Sequence, residues 1–295
     1  MDINAANLSS LFRNVKVDWQ KGVAWRPTVD LSFLVMDVPS TSAANFYAWL
    51  NMIPAFREWV GDRIFRNLKS DSFEVKNVPY EASTSMERDK LRDDLFSIYS
   101  PQLTMMGQGW QQLLFKIAVD VLLNNTTSFT ASAMCSNSHA YGDQTIDNLV
   151  TDALSADALD AAFLARAGYK WSNGEEIPGT WTHLVYGPKN HGVAFNLVVN
   201  EYLSVAGGST TSNPNYKRVI PVELPSLTGT YDDYWFLTDA SGPMRAICRQ
   251  IRENAEPFMD LDPATVMRNG RVDVMADGRA AAAPTFPHLI YGGIL

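Results

Sequence analysis

Cysteine is scarce in this chain of 295 residues, which carries Cys135 and Cys248 as its two thiols. Zinc and iron–sulfur sites built on cysteine need ligands at short, characteristic spacings, and these two positions provide none. A lone pair of this kind in a cytoplasmic chain is typical of two buried thiols. The sequence therefore predicts two structural cysteines and no disulfide.

Histidine is equally sparse, and the four rings at His139, His183, His191 and His288 form no i, i+4 ligand pair on a helix. The chain also lacks a glycine-rich phosphate loop, a nucleophile elbow, a zinc signature and a calcium loop. We therefore predict no catalytic residue, no cofactor and no metal site.

A catalytic triad can be written on paper from Ser138, His139 and Asp143. Three polar residues in a turn-like segment are far more typical of a loop than of a catalyst. Adjacent carboxylates point in different directions and indicate solvated loops or helix starts rather than an acid–base pair. Such pairs stand at Asp93-Asp94, Glu175-Glu176 and Asp232-Asp233.

Basic charge is in deficit, since 24 Lys and Arg face 32 Asp and Glu for a formal net charge of −8. This balance argues against sequence-specific DNA binding. The longest apolar run, Leu113–Leu123, contains Lys116 and Asp120 and is shorter than the roughly 20 residues of a spanning helix, so no membrane segment is predicted. No secretion signal is readable at the N-terminus, and we expect a cytoplasmic product.

Two helices are predicted in the first half of the chain. Apolar residues from Leu8 to Trp19 recur at helical spacing and indicate a short amphipathic helix. Ser100 followed by Pro101 indicates the start of a helix that ends at about Asn124, a rod of roughly 36 Å. Its apolar stripe is Leu103, Met106, Trp110, Leu113, Leu114, Ile117 and Val121. On it, Gly107 and Gly109 indicate either a close backbone approach or a bend.

The second half mixes helix and strand patterns, which indicates an α+β fold. Ser155 predicts the cap of a helix that ends near Gly168, and another helix should open at Pro188. Asp277-Gly278 predicts a hairpin turn. Strands are predicted over 182–186, 217–223, 234–238, 244–251 and 285–291.

Between Trp49 and Tyr80 the chain mixes aromatic residues with closely spaced opposite charges, and Phe73–Val78 alternates like a half-exposed strand. A solvated hairpin explains this pattern. A surface that pairs with a neighbouring molecule explains it equally well. The residues leave both interpretations open.

Several stretches, in the right order along nearly the whole chain, resemble the Mu-like phage major head subunit family. They are Asn4–Phe12, Trp49–Leu50 with Pro54, Arg57–Arg63, Arg92–Asp94 with Tyr99 and Pro101, Ser138–His139, Leu154–Ala156 with Leu159, Thr182–Val185 with Pro188, Trp235–Leu237, Arg268, Asp273–Gly278 and Leu289–Gly293. The sequence departs from the family pattern at Gly207–Tyr216 and Ala280–Ala283.

The resemblance implies the Hong Kong 97-type capsid fold, an α+β architecture. Its parts would be an N-terminal arm (1–44), an extended loop region (45–92), a discontinuous peripheral domain (93–149 and 265–295, with a spine helix at about 101–124) and an axial domain (150–264).

By the same resemblance, the chain would be a major capsid protein in the icosahedral head of a tailed phage. It would assemble in the host cytoplasm into pentamers and hexamers, with scaffold, portal and decoration proteins as partners, and would enclose double-stranded DNA. Some capsids of this fold cross-link a loop lysine to a neighbour's asparagine; Lys69 or Lys76 would be the candidate, but no sign favours it over free lysines. Subunit contacts are expected from Leu11, Phe12, Trp19, Arg57, Glu58, Trp59, Asp62, Arg63, Arg66, Lys69, Glu74 and Lys76.

Two alternatives from other classes stay open at this point. An encapsulin-like nanocompartment shares the fold but holds a protein cargo, so its contents would distinguish it from a phage head. A soluble enzyme with an unfamiliar site would form a small oligomer instead of a large particle.

Overall fold

The computed structural model of the chain describes residues 3–47, 73–93, 96–141, 144–171, 174–204 and 210–295. Its α-helices are α1 (Ala5–Val23), α2 (Arg88–Arg92), α3 (Ser100–Leu123), α4 (Ala156–Ala167), α5 (His191–Ala194) and α6 (Pro263–Asn269). Its strands are β1 (Val35–Pro39), β2 (Ala44–Tyr47), β3 (Phe73–Lys76), β4 (Val78–Glu87), β5 (His139–Tyr141), β6 (Gln144–Ile146), β7 (Leu149–Val150), β8 (His183–Tyr186), β9 (Tyr202–Ser204), β10 (Thr210–Ser212), β11 (Ile220–Glu223), β12 (Trp235–Thr238), β13 (Ile247–Met259), β14 (Arg271–Pro284) and β15 (Ile290–Gly293).

The two longest strands form the centre of a sheet with the order β1-β13-β14-β4. Strand β1 runs parallel to β13, whereas β14 is antiparallel to both of its neighbours. Alternation along β14 turns Val272 and Val274 to one face, where they pack with Leu8, Leu11 and Val15 of α1. The helices α1 and α3 thus cover this face of the sheet.

Helix α3 confirms the long helix expected from the sequence. Leu103, Trp110 and Leu114 on its apolar stripe are buried, and Trp110 is 6% exposed. The expected start is wrong in one detail, because Tyr99 occupies the N-cap position without a side-chain hydrogen bond and Ser100 lies inside the helix. Pro101 is tolerated there because the first helical amides have no intrahelical acceptor.

Helices α1 and α3 cross at a pair of glycines. A Cβ atom at Gly107 would lie 2.4 Å from the carbonyl oxygen of Trp19, and one at Gly22 would lie 2.0 Å from that of Thr104. The close approach expected at Gly107 is therefore confirmed. Gly109 has no such role, since a Cβ atom there would meet nothing within 4 Å.

A second sheet has the strand order β11-β8-β12-β15-β7. Helix α4 lies against it and contributes Leu159 and Ala162 to a core that also holds Trp181 and Trp235. The predicted cap is confirmed, because the Ser155 hydroxyl accepts a hydrogen bond from the Ala158 amide at 3.1 Å. The strand expected from residue 217 begins only at Ile220, after a turn in which the Arg218 amide donates to the Asn215 carbonyl.

The hairpin predicted at Asp277-Gly278 is wrong, because β14 continues through both residues. The connection between β13 and β14 is instead α6, which is capped by Asp262 and ends at Gly270 with φ +67°. Gly278 has a packing role: a Cβ atom there would lie 2.6 Å from the Trp110 ring. Gly278 is therefore a strand residue that leaves room for the Trp110 ring, and not a turn residue.

One core cluster joins the two sheets. It contains Val119 and Leu122 from the end of α3, Ile247 from β13, and Phe236 and Ile290 from the second sheet. Cys135 and Cys248 lie in the same cluster as free, buried thiols, as predicted. The two sheets therefore pack against one shared apolar core.

Candidate functional site

Of the paper triad Ser138, His139 and Asp143, the structure describes Ser138 and His139. His139 is fully buried: its Nδ1 lies 2.7 Å from the Thr130 hydroxyl and its Nε2 lies 3.1 Å from Oδ1 of Asn148. Burial lowers the pKa of this ring, despite the hydrogen bond with Asn148 that favours its protonation. Asp143 lies outside the described residues. His139 is thus a neutral structural group with both nitrogens occupied.

Asn148 is the centre of this buried network. Its amide nitrogen donates to the carbonyls of Met134 and Pro287 at 2.9 Å, and its Oδ1 accepts from the Ser136 amide at 2.7 Å. The side chain thereby ties the segment after α3 to the C-terminal strand. Sequence reasoning missed it, since an isolated asparagine carries no recognisable signal.

A buried ion pair joins α4 to the end of β12. The guanidinium of Arg166 lies 2.8 Å from the carboxylate of Asp239, and both side chains are at most 3% exposed. Burial alone would raise the pKa of Asp239, but hydrogen bonds from Ser241 and Arg166 outweigh it and lower the pKa. The pair also lies against Gly179, where a Cβ atom would meet both side chains. Because the two opposite charges are buried and paired with each other, we interpret this ion pair as structural.

The part of the chain that the structure describes contains neither a metal-ligand cluster nor a helix that could span a membrane. Across those residues, no three or more His, Cys, Asp or Glu side chains are grouped so that they could hold a metal ion. No described helix combines the length and the apolar character needed to cross a bilayer.

The expected contact residues of the first helix fall into two groups. Leu11 and Trp19 are 3% and 5% exposed because they pack within the chain itself, Leu11 against the sheet and Trp19 beside Trp110. Both side chains are thus buried within their own chain, and their contact with a neighbour stays a prediction. Phe12 is only partly buried, so its contact with a neighbour stays a prediction.

The expected contact residues of the charged segment are mostly outside the described residues. These are Arg57, Glu58, Trp59, Asp62, Arg63, Arg66 and Lys69. Glu74 and Lys76 are described, and both side chains are exposed on β3, which pairs with β2. The alternation predicted for Phe73–Val78 is present, with Val75 buried between Glu74 and Lys76. Whether these charges meet a neighbour stays a prediction.

The outer face of the first sheet was not anticipated from the sequence. It lies opposite the helices and carries Phe258 and Met275, which are directly paired across β13 and β14 and are 59% and 42% exposed. Large apolar side chains that adjoin on an exposed face indicate a contact surface. This face is therefore a candidate surface for contact with another molecule.

Comparisons with known proteins agree with this description. Residues 8–151 match the family model of the Mu-like prophage major head subunit gpT. The chain is similar to the major capsid protein of Escherichia phage Mu, with 28% identity over 124 residues. That alignment covers 41% of this chain and 40% of the phage Mu protein, well under two thirds of its length.

Two solved structures share the fold. A chain of the bacteriophage JBD30 procapsid matches 99% of this chain, and 76% of its own length, with a TM-score of 0.56 at 18% identity. The SrpI encapsulin of Synechococcus elongatus PCC 7942 matches 92% of this chain and 89% of its own length, with a TM-score of 0.52 at 12% identity. At such identities the likeness establishes the fold, which is the Hong Kong 97-type capsid fold.

Proposed function

We propose that this chain, whose residues 8–151 match the family model of the Mu-like prophage major head subunit, is the major capsid protein of a tailed phage. It would assemble into the icosahedral shell that encloses a double-stranded DNA genome. Its role would be structural, with no catalytic step.

The observation that carries this proposal is the fold match over 99% of the chain to a phage procapsid subunit, joined to a family match in its first half. The described surfaces fit the same role. A shell forms through many modest contacts that repeat with symmetry, so each subunit needs complementary faces rather than a single cleft.

We assign the parts of the chain as the family resemblance suggests. The arm would be 1–44, the extended loop region 45–92, the peripheral domain 93–149 with 265–295, and the axial domain 150–264. The grouping of α3 with β14 in one layer and of α4 with β8 and β12 in another supports a division into two parts. The bounds differ at two strands, because β13 lies in the first sheet beside β14 and β15 lies in the second sheet beside β12. The arm would keep α1 on its own subunit, because Leu8, Leu11 and Val15 are buried there.

The partners would be further copies of the chain in pentamers and hexamers, together with scaffold, portal and decoration proteins. The net charge of −8 supports a container for DNA, because an acidic wall avoids the strong phosphate binding that a basic wall would create. The assembled location would be the virion, after assembly in the host cytoplasm.

The second candidate is an encapsulin-like nanocompartment, which the fold match to the SrpI encapsulin favours. The family match over residues 8–151 favours the phage head instead. The contents of purified particles separate the two, since a nanocompartment would hold a protein cargo.

Electron microscopy of the purified full chain, alone and with a scaffold protein from the same gene neighbourhood, tests the proposal. We expect rings or closed shells of one size. A monodisperse monomer or small oligomer across a wide range of concentration and salt, with scaffold present, would contradict it.

A further inference from the structure

The outer face of the first sheet carries a row of like charges. Glu256 on β13 lies directly opposite Asp277 on β14, and Asp277 lies directly opposite Glu81 on β4. All three side chains are exposed. Like charges that face each other across strands repel, so the isolated subunit gains nothing from this arrangement.

Nearby arginines do not neutralise the row. Arg279 lies 3.4 Å from Glu253, and Arg271 lies 3.0 Å from Asp273, so both of these arginines already have a carboxylate partner. Among the described residues, none of the three carboxylates of the row takes part in an ion pair. The next pair on the same face is the exposed Phe258–Met275 pair, two residues along each strand, so the acidic row adjoins an apolar pair.

The chain carries a complementary surface on α1. Arg13, Lys16 and Val17 lie on the side of the helix away from the core, and Val17 is 51% exposed. The ammonium of Lys16 lies 4.6 Å from the centre of the Phe12 ring, so a cation and a partly exposed aromatic ring stand together. The single acidic residue of the helix, Asp18, is buried and paired with Lys21. The exposed charges of α1 are therefore all basic, and they lie beside Phe12 and Val17.

We propose that the exposed side of α1 in one copy docks on the outer sheet face of the next copy. Arg13 and Lys16 would face the row of Glu256, Asp277 and Glu81, while Phe12 and Val17 would meet Phe258 and Met275. Because the two surfaces are different patches of one subunit, the contact is heterologous and repeats from copy to copy, as a ring or shell requires. This inference rests on the proposed function, whose contacts it specifies.

Reciprocal charge reversal tests the contact in the full chain. One variant carries Glu256→Lys with Asp277→Lys, a second carries Arg13→Glu with Lys16→Glu, and a third combines all four changes. The first variant keeps like charges facing each other across β13 and β14, so repulsion between these two strands is preserved. The matched control for the first variant is Asp152→Lys with Glu201→Lys, which makes the same change in net charge at exposed positions elsewhere.

We expect the fraction of protein in sedimenting particles to fall by about tenfold or more in each of the first two variants, with unchanged melting temperatures. The combined variant should recover particles, and the control should match the wild type. Normal assembly of the first two variants would overturn the inference while leaving the proposed function intact. Loss of assembly without recovery in the combined variant would also overturn it, since the patch would then meet another surface. A wild type that never self-associates would overturn both proposals.

Discussion

At the scale of single residues, the ring of His288 ties the stability of the fold to pH. It is 3% exposed, and burial, with a smaller contribution from the charge of Arg166, lowers its pKa to about 3 from an ordinary 6.5. Between these values the unfolded chain binds a proton that the folded chain excludes. Stability should therefore fall by about 1.4 kcal/mol per pH unit as the pH drops below 6.5.

The prediction is that His288→Phe flattens this dependence. The ring stands among Trp171 and Phe286, so an apolar replacement suits its surroundings. Urea unfolding between pH 6.5 and about 5.3, a full pH unit above the ordinary glutamate pKa of about 4.3, measures the slope. His191→Gln removes a histidine from the surface instead and is the control. An identical slope in His288→Phe and the wild type would show that another group governs the pH response.

At the scale of elements, the crossing of α1 and α3 depends on the absence of side chains at Gly22 and Gly107. Gly107→Ala would place its Cβ atom against the main chain of α1, which cannot yield as a flexible side chain could. We expect a loss of about 1 to 3 kcal/mol in the free energy of unfolding, visible as a lower melting temperature.

Gly109→Ala on the same helix is the matched control for this crossing. Its new methyl group meets nothing within 4 Å, and alanine is a better helix former than glycine by about 1 kcal/mol. The melting temperature should stay the same or rise. Equal losses in both variants would mean that the crossing is not the cause.

At the scale of the whole molecule, a substitution in the charged segment that begins at Arg57 can test whether assembly is lost while the subunit stays folded. We predict that Arg63→Glu gives a folded, soluble subunit that no longer closes shells, because losing one partner of an interface ion pair costs about 2 to 5 kcal/mol at every copy. Circular dichroism and electron microscopy of the same sample separate folding from assembly. Normal shells would show that Arg63 makes no essential contact.

The structure limits how this segment can be altered. Deleting residues 66–80 would remove β3 and the first residues of β4, and Val78 and Tyr80 pair with Ala280 and Gly278 of β14. Such a deletion is expected to damage the sheet itself. A point substitution is the cleaner test of an intersubunit role.

The sequence predicted those features that depend on local rules. Helical spacing located α1 and α3, and the Ser155 cap and Gly168 located α4, because caps and apolar periodicity act within one or two turns. The family resemblance, which the match over residues 8–151 supports, supplied the expected fold and the proposed role.

Only the tertiary structure decided how distant residues meet. Gly278 follows Asp277 as in a turn, yet it lies in a strand because Trp110, far away in sequence, occupies the space of its side chain. Leu11 and Trp19 form an apolar stripe that would suit a neighbour equally well, and the crossing at Gly22 and Gly107 instead places them in their own core. The row of Glu256, Asp277 and Glu81 exists only through strand register. Register and helix crossing are set by packing between segments distant in sequence, which no local pattern encodes.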